Sequence, residues 1–280
     1  MSAEAPSVSA LRLNPNERII VVAPHPDDEV LACGGMIQQA LALGSAVWVV
    51  YVTSGEGSWP AAWRVTGHML PGPDDYLQLG RTRIEEAKEG ARVLGLDPGQ
   101  LSFLGYPDHG LARLRRQNWT TPYRSAYTRL DAGQYGGTGH AYTGRQLLSD
   151  IESILGNVKP TRVFAPHARE AHADHRSTAA LVAMALEAGR RTEGGIGPEV
   201  YSYPTRRLPF PPTGTGRNGH LSPPADLVGT GHHWFTFSLN SAQQRIKKSA
   251  LRCHRSQREA FGSALGACLA ANELFDRPDS

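Results

Sequence analysis

The sequence turns from an apolar run into a cluster of charged side chains at residues 24–29, and this turn constrains the fold more than any other stretch. Residues 18–22 (RIIVV) are rich in β-branched side chains, as is typical of a buried strand. Residues 28–43 have the apolar spacing and alanine content of a helix that ends at Gly44. The sequence therefore predicts a strand-to-helix turn. In open α/β sheets, ligands bind at the carboxyl ends of such strands.

His25 and Asp28 within this turn have the spacing of metal ligands. An imidazole nitrogen and a carboxylate three residues further on can reach the same point across a proline-stiffened turn. This donor pair suits zinc or ferrous iron, and a catalytic site needs three protein ligands and one open position. The alternative is that Asp27 and Asp28 only stabilise the positive end of the helix. The turn alone does not decide between these interpretations.

A second cluster of the same kind lies far along the chain. Residues 161–166 (TRVFAP) are another strand-like apolar run, and the motif HADH at 172–175 follows it. A helix is predicted directly afterwards, at 177–188. Because two such turns can meet at one edge of a sheet, we expect the two clusters to form a single site.

Taken together, HPDDE at 25–29 and HADH at 172–175 resemble the paired motifs of the LmbE/PIG-L-like family of metal-dependent de-N-acetylases. The combination is specific, whereas either motif alone is weak. The similarity covers most of residues 17–265 and thins over 110–142 and 205–232. Three further segments resemble the family: RIEEA at 83–87 followed by VLG at 93–95, YPD at 106–108, and HRSQ at 254–257.

The expected fold is α/β: a single-domain, Rossmann-like, mostly parallel sheet with helices on both faces and the metal site at the carboxyl ends of the strands. Residues 1–16 are expected to be a loose leader, and 17–280 a single domain with divergent loops at 111–142 and 205–232. The aromatic, arginine-containing loop at 111–142 either covers the substrate or packs on itself at the surface. A last long helix is predicted at 241–274.

The resemblance implies that His25, Asp28 and His175 hold the metal, with zinc expected and ferrous iron as the alternative. Asp27, which is next to a ligand, would be the general base that takes the proton of the attacking water. His167 also follows a predicted strand, but we reject it as a ligand because HADH already supplies the matching histidine.

The remaining candidate residues surround these ligands. His172 would be the acid that protonates the leaving amine or steadies the oxyanion, and Asp174 would accept its other imidazole proton. Arg83 would bind substrate oxygens, although it could instead pair with a neighbour on the helix surface. Asp108 would accept a hydrogen bond from a sugar hydroxyl, although it could be a simple turn residue.

The function implied by the resemblance is removal of an N-acetyl group from an N-acetylglucosamine-type amino sugar or glycoconjugate, with a metal-activated water as the nucleophile. One alternative is an amidase for another N-acyl group or a thiol conjugate. Another, from a different class, is a non-catalytic α/β module that binds a sugar or nucleotide at the same sheet edge. Metal content and chelator-sensitive hydrolysis would separate these hypotheses.

The composition of the chain limits the classes of partner that it is expected to bind. With 29 Lys+Arg against 26 Asp+Glu, the charge is too small and too interspersed for a nucleic-acid surface. The three cysteines form no CxxC pair, which indicates reduced thiols and a cytoplasmic location. No apolar stretch is long enough for a membrane span. The expected partner is a small N-acetylated amino sugar or glycoconjugate, and a homo-oligomer is left open.

Overall fold

The computed structural model describes residues 8–133, 139–193, 197–205, 219–228, 231–261 and 269–278. The strands are β1 (Val8–Ala10), β2 (Arg18–Ala23), β3 (Ala46–Thr53), β4 (Leu101–Tyr106), β5 (Arg162–Pro166), β6 (Glu199–Tyr203), β7 (His232–Ser238) and β8 (Asn272–Pro278). The helices are α1 (Asp28–Ala42), α2 (Trp59–Thr66), α3 (Pro73–Leu94), α4 (Leu111–Arg116), α5 (Gly144–Val158), α6 (Ala173–Glu193), α7 (Ser241–Cys253) and α8 (Arg255–Phe261).

These eight strands form one sheet in the order β1-β7-β8-β6-β5-β2-β3-β4. Every neighbouring pair is parallel except the two pairs that include β8. The chain runs outward from β2 through β3 to β4 and then returns to β5, on the other side of β2. Strand order therefore reverses between β2 and β5, and the crevice outside their carboxyl ends is where such sheets bind ligands. The predicted α/β class and mostly parallel sheet are confirmed.

Alternate residues of β2 enter two different cores, which is the signature of a strand covered on both faces. Ile19 and Val21 pack with α1, α3 and α7, whereas Ile20 and Val22 pack with α4, α5 and α6. The continuous apolar run that predicted a buried strand follows from this double burial. Helices thus lie on both faces of the sheet, as expected.

The two ends of the chain differ from the expectation. Residues 8–10 form β1 beside β7, and Leu11 is buried in the core, so the part of the leader that is described is an ordered edge of the sheet. Residues 1–7 lie outside the described residues. The helix predicted to reach residue 274 ends earlier, because residues 272–278 form β8 between β6 and β7. Alternation in β8 places Leu274 and Phe275 in different apolar clusters, which a strand allows.

The divergent segments are only partly described. Residues 111–116 form α4, and an isolated bridge joins Ala132 to Ala141, while 134–138 lie outside the described residues. In the segment 205–232, residues 206–218 and 229–230 lie outside them as well. No helix in the described ranges combines the length and apolar character that a bilayer span requires.

We expect one glycine of α5 to be sterically required and another to be replaceable. A Cβ on Gly144 would lie 2.4 Å from the carbonyl oxygen of Leu114 and 2.5 Å from the ring of Trp119. Gly144→Ala should therefore lower the free energy of unfolding by about 2 kcal/mol or more. Gly156, in the same helix, has no neighbour within 4 Å of such a Cβ, and Gly156→Ala should raise it by about 0.5–1 kcal/mol. Urea unfolding followed by circular dichroism measures both, and equal effects would contradict the packing described.

Candidate functional site

The turn between β2 and α1 is held in an unusual backbone conformation. Asp27 has a φ of 119°, which is rare for a residue with a side chain and costs free energy. Two carboxylates secure the turn: Asp28 Oδ2 accepts the backbone N–H of His25 at 3.0 Å, and Glu29 Oε2 accepts that of Asp27 at 3.0 Å. The motif HPDDE therefore supplies both the functional groups and the hydrogen bonds that shape their turn.

The structure brings the three predicted metal ligands together. Asp28 Oδ2 lies 3.2 Å from His25 Nδ1 and 3.1 Å from His175 Nε2, and the two histidine nitrogens are 3.3 Å apart. All three side chains are buried. Donors around a tetrahedral ion with bonds of about 2.1 Å are separated by roughly 3.4 Å. The triangle of one oxygen and two nitrogens thus fits zinc or ferrous iron in size and in chemistry.

Each histidine of this triangle has a partner on its other ring nitrogen. Asp108 Oδ1 lies 3.0 Å from His25 Nε2, and Thr205 Oγ1 lies 3.3 Å from His175 Nδ1. Such contacts orient histidine ligands and set their tautomers. Asp108 is buried, and its second oxygen accepts the backbone N–H of Gly57 at 2.9 Å. Both carboxylate oxygens thus bind protein groups, and the expected hydrogen bond between Asp108 and a sugar hydroxyl stays a prediction.

Asp174 also lies elsewhere than expected. Its carboxylate accepts the backbone N–H groups of His109 at 2.6 Å and Leu111 at 3.1 Å, and it approaches His25 Nε2 to 3.7 Å. The hydrogen bond between Asp174 and His172 instead runs from the backbone N–H of Asp174 to His172 Nδ1, at 3.3 Å. A neutral His172 with Nδ1 as acceptor carries its proton on Nε2, where it can donate.

His172 stands beside the ligand triangle in a half-buried position. Its ring centroid is 4.8 Å from that of His25 and 5.5 Å from that of His175. His109, to which no role was assigned from the sequence, lies 5.0 Å from His172 and is itself exposed. The one sequence feature that pointed to a place near the site is its position directly after Asp108.

Arg83 contacts the turn between β2 and α1. It is buried, and its guanidinium donates to the carbonyl oxygens of Gly55 and Pro26 and lies 3.4 Å from Asp27 Oδ2. Gly55 has a φ of 66°, and a Cβ there would lie 2.1 Å from Arg83 Nη1, so only glycine allows this approach. Arg83 thus contacts the site through Asp27, and its expected contact with substrate oxygens stays a prediction.

The site holds an excess of buried negative charge. Burial, followed by repulsion from Asp27, raises the pKa of Glu29 to about 8, and burial, followed by repulsion from Asp108, raises that of Glu56 to about 7. Burial acts to lower the pKa of His25, but Asp108 and other carboxylates raise it well above its ordinary value. Several buried acids gathered around a histidine are a charge pattern that a bound divalent cation would stabilise.

A second histidine cluster lies apart from this site. His167 Nε2 and His232 Nδ1 lie 3.3 Å and 2.8 Å from Asp276 Oδ2. His167 Nδ1 accepts the backbone N–H of Arg169 at 3.0 Å, so Nε2 carries the proton that faces Asp276. Because Nδ1 carries no proton, a metal on Nε2 would leave the ring of His167 with no proton on either nitrogen. We therefore interpret the cluster as a hydrogen-bonded tie between β5, β7 and β8.

The late motif HRSQ lies behind the HPDDE turn. The backbone N–H and hydroxyl of Ser256 donate to the two carboxylate oxygens of Glu86. His254 is fully buried, its Nε2 lies 3.7 Å from Glu29 Oε1, and neither ring nitrogen makes a hydrogen bond within the described part of the chain. Burial, followed by the charge of Arg83, lowers the pKa of His254 to about 3.

The fold and this site define an α/β protein with a histidine and carboxylate centre at the point where strand order reverses. The family described as PIG-L, GlcNAc-PI de-N-acetylase, matches residues 20–186, which include both motifs. The chain belongs to this family.

Two relatives carry the same printed name, 1D-myo-inositol 2-acetamido-2-deoxy-alpha-D-glucopyranoside deacetylase. The one from Mycolicibacterium smegmatis is 29% identical over 188 residues, which are 66% of this chain and 58% of the relative. The one from Saccharomonospora viridis is 28% identical over 255 residues, which are 85% of this chain and 84% of the relative. The match to the first relative therefore spans little more than half of that protein.

Solved structures share the fold at low identity. The N,N'-diacetylchitobiose deacetylase from Pyrococcus horikoshii has a TM-score of 0.57 at 19% identity, with 94% of this chain and 84% of the other covered. A zinc-inhibited form of teicoplanin deacetylase has a TM-score of 0.59 at 19% identity, covering 94% and 99%. The 4-carboxy-2-hydroxymuconate hydratase from Pseudomonas putida KT2440 has a TM-score of 0.59 at 17% identity, covering 96% and 98%. Because one of these proteins is a hydratase, the shared fold alone does not define the reaction.

The low pKa of His254 should make stability sensitive to acid. The unfolded chain takes up this proton below about pH 6.5, whereas the folded protein does not until about pH 3, so stability is intact above pH 6.5 and falls as the pH decreases. Between pH 7 and pH 5 this residue should cost about 2 kcal/mol. In His254→Leu the loss of unfolding free energy over that interval should be smaller by this amount. His220→Leu, at an exposed position, is the control and should lose as much unfolding free energy between pH 7 and pH 5 as the wild type. The same loss in His254→Leu as in the wild type would contradict the assignment.

Proposed function

We propose that the chain is a metal-dependent hydrolase that removes the N-acetyl group from an N-acetylglucosamine-type amino sugar or glycoconjugate, releasing acetate and a free amine. The observation that carries the proposal is the triangle of His25 Nδ1, Asp28 Oδ2 and His175 Nε2, with Asp27 and His172 beside it. The names of the relatives, which are deacetylases of an acetamido sugar linked to inositol, support the reaction class.

His25, Asp28 and His175 would hold the metal, with zinc as the expected ion and ferrous iron as the alternative. When bound, such an ion would polarise the amide carbonyl and lower the pKa of water so that it becomes nucleophilic near neutral pH. Asp108 and Thr205 would keep the two histidines in the orientation and tautomer that a ligand needs. Asp174 would position the 109–111 backbone beside them.

The two remaining groups act on the proton and on the developing negative charge. Asp27 accepts the proton of the attacking water and passes it to the leaving amine, and the contact of Arg83 with its carboxylate holds that oxygen in place. His172, which is neutral with its proton on Nε2 because its Nδ1 accepts a backbone N–H, donates a hydrogen bond from Nε2 to the developing oxyanion. The substrate amide would lie between these groups. A panel of N-acyl glucosamines with longer acyl groups separates this activity from an amidase of another N-acyl group.

Metal analysis tests the ligand assignment directly. The wild-type protein should hold about one zinc per chain, and His25→Ala or His175→Ala should hold well under half of that. Asp108→Asn keeps the shape of the side chain but removes the charge beside His25, and it should weaken zinc affinity by about 10- to 100-fold. His232→Ala, in the other histidine cluster, should keep the zinc. Full zinc content in the His25 and His175 variants would refute the site.

Turnover tests the roles of Asp27 and His172. Asp27→Asn and His172→Ala should retain zinc while lowering kcat for hydrolysis of methyl N-acetylglucosaminide by about 10²- to 10⁴-fold, because the first removes the proton acceptor and the second removes the donor to the oxyanion. The exposed His68→Ala is the matched control and should leave kcat unchanged. Activity of the wild type should also disappear with a chelator and return with zinc. A variant of Asp27 with full activity would exclude the general-base role.

A further inference from the structure

Four large apolar side chains are exposed on the segment that follows β3. Trp59, Trp63, Met69 and Leu70 expose 45%, 38%, 66% and 89% of their surfaces, and we call this group the apolar rim. The two tryptophan rings lie one turn apart on α2 and stack, with centroids 5.7 Å apart and planes at 30°. Large apolar side chains exposed close together in one segment commonly mark a binding site.

The orientation of the apolar rim is imposed by packing on the other side of α2. Ala61 and Ala62 are fully buried and form a small core with Leu79, against which Tyr76 packs. Because these small residues pin the helix to α3, the opposite face, with Trp59 and Trp63, must point outward. The exposure of the tryptophans thus follows from the fold of the segment.

A row of aromatic rings connects the segment that carries the apolar rim to the candidate active site. From His172 the rings of His109, Tyr127 and Tyr76 follow at centroid distances of 5.0, 5.6 and 5.1 Å. The last of these rings belongs to the small core beneath α2. The segment that carries the rim therefore packs on a row of rings that begins at His172.

The chain itself makes the same connection over a shorter path. Gly57 donates its backbone N–H to Asp108, and a Cβ on Gly57 would lie 2.7 Å from the ring of His109 and 2.9 Å from that of Tyr127. Trp59 lies only two positions further along the chain than Gly57. A substrate whose amide reaches His172 would thus extend over His109 and Tyr127 toward the rim.

We propose that the apolar rim binds an apolar part of the substrate, so that the substrate is an N-acetylated amino sugar that carries an alkyl or aromatic aglycone. This inference rests on the proposed function and specifies the class of substrate. Tryptophan and methionine side chains present large, adaptable apolar contact areas, and burial of an alkyl chain against them is favourable in proportion to the area removed from water.

Other occupants fit the rim less well. Arg64 and His68 are the only side chains in residues 59–73 that can carry positive charge, whereas anionic lipid surfaces are bound through clusters of basic residues. Each partner of a stable dimer buries roughly 800 Å². A tryptophan offers about 250 Å² even when fully exposed. The four partly exposed side chains therefore fall short of a dimer interface on their own.

The test compares methyl and hexyl N-acetylglucosaminide, both below any micelle-forming concentration, by kcat/KM. In the wild type, the hexyl glycoside should be preferred by at least about tenfold, which is less than five fully buried methylene groups could supply. In the variant Trp59→Ser/Trp63→Ser this preference should fall below about twofold. The control Met184→Ser/Ile246→Ser removes exposed apolar groups outside the rim and should keep both the preference and the methyl activity. Urea unfolding checks that both double variants are folded.

A preference near one in the wild type would overturn the inference, as would a preference that survives loss of both tryptophans. Rim variants that lose sedimentation with anionic vesicles, or that change the sedimenting mass of the protein, while the hexyl preference is absent would assign the rim to a lipid surface or to a second copy instead. If neither glycoside is hydrolysed, the proposed function fails separately. Calorimetric binding of the two glycosides to Asp27→Asn then decides the inference, with at least about tenfold tighter binding of the hexyl compound in support.

Discussion

Six carboxyl groups buried at the site and beside it, only one of which has a described contact with a guanidinium, are the constraint on which this structure depends. Each of them is at most 5% exposed, and they come from Asp27, Asp28, Glu29, Glu56, Asp108 and Asp174. Removing a charge from water is costly unless it is paired, and Arg83 can neutralise only one of them. The acids are tolerated because backbone N–H groups and histidine nitrogens face them. The remaining imbalance gives the histidine and carboxylate triangle a physical reason to hold a divalent cation.

The topology determines where this charge can be placed. Asp28 and Asp174 occupy the first turns of α1 and α6, where the positive end of a helix stabilises a carboxylate. The two helices begin after β2 and β5, which are adjacent because strand order reverses between them. His25 then connects the two with the loop after β4, through contacts with Asp28, Asp174 and Asp108. The same reversal that opens the crevice thus brings together His25 and His175, which lie 150 positions apart in the chain.

The class of fold was predictable from the sequence because it depends on local patterns, and apolar runs followed by turns predicted β2 and β5. The donors of the triangle were implied by the resemblance of the motifs that follow these runs to a known family. The partners of Asp108, Asp174 and Arg83 were not predictable in the same way, because each pairs with a group more than 25 residues away. The alanine-rich stretch before β8 predicted a longer helix, and only the two neighbouring strands make residues 272–278 extended. HRSQ was recognised, but its packing behind Glu29 required coordinates.

The triangle of donors and the segment that carries the apolar rim are held in place by different contacts. The donors of the triangle lie on turns whose neighbours are central strands, so a displacement of one of them would disturb the buried carboxylates around it. The segment that carries the apolar rim is anchored to the same edge through Gly57 but packs on a core of only a few small residues. Substitutions on the outer face of α2 therefore leave the buried charges unchanged. The residues of the candidate site and those of the apolar rim can thus be substituted independently, because different contacts hold the two groups in place.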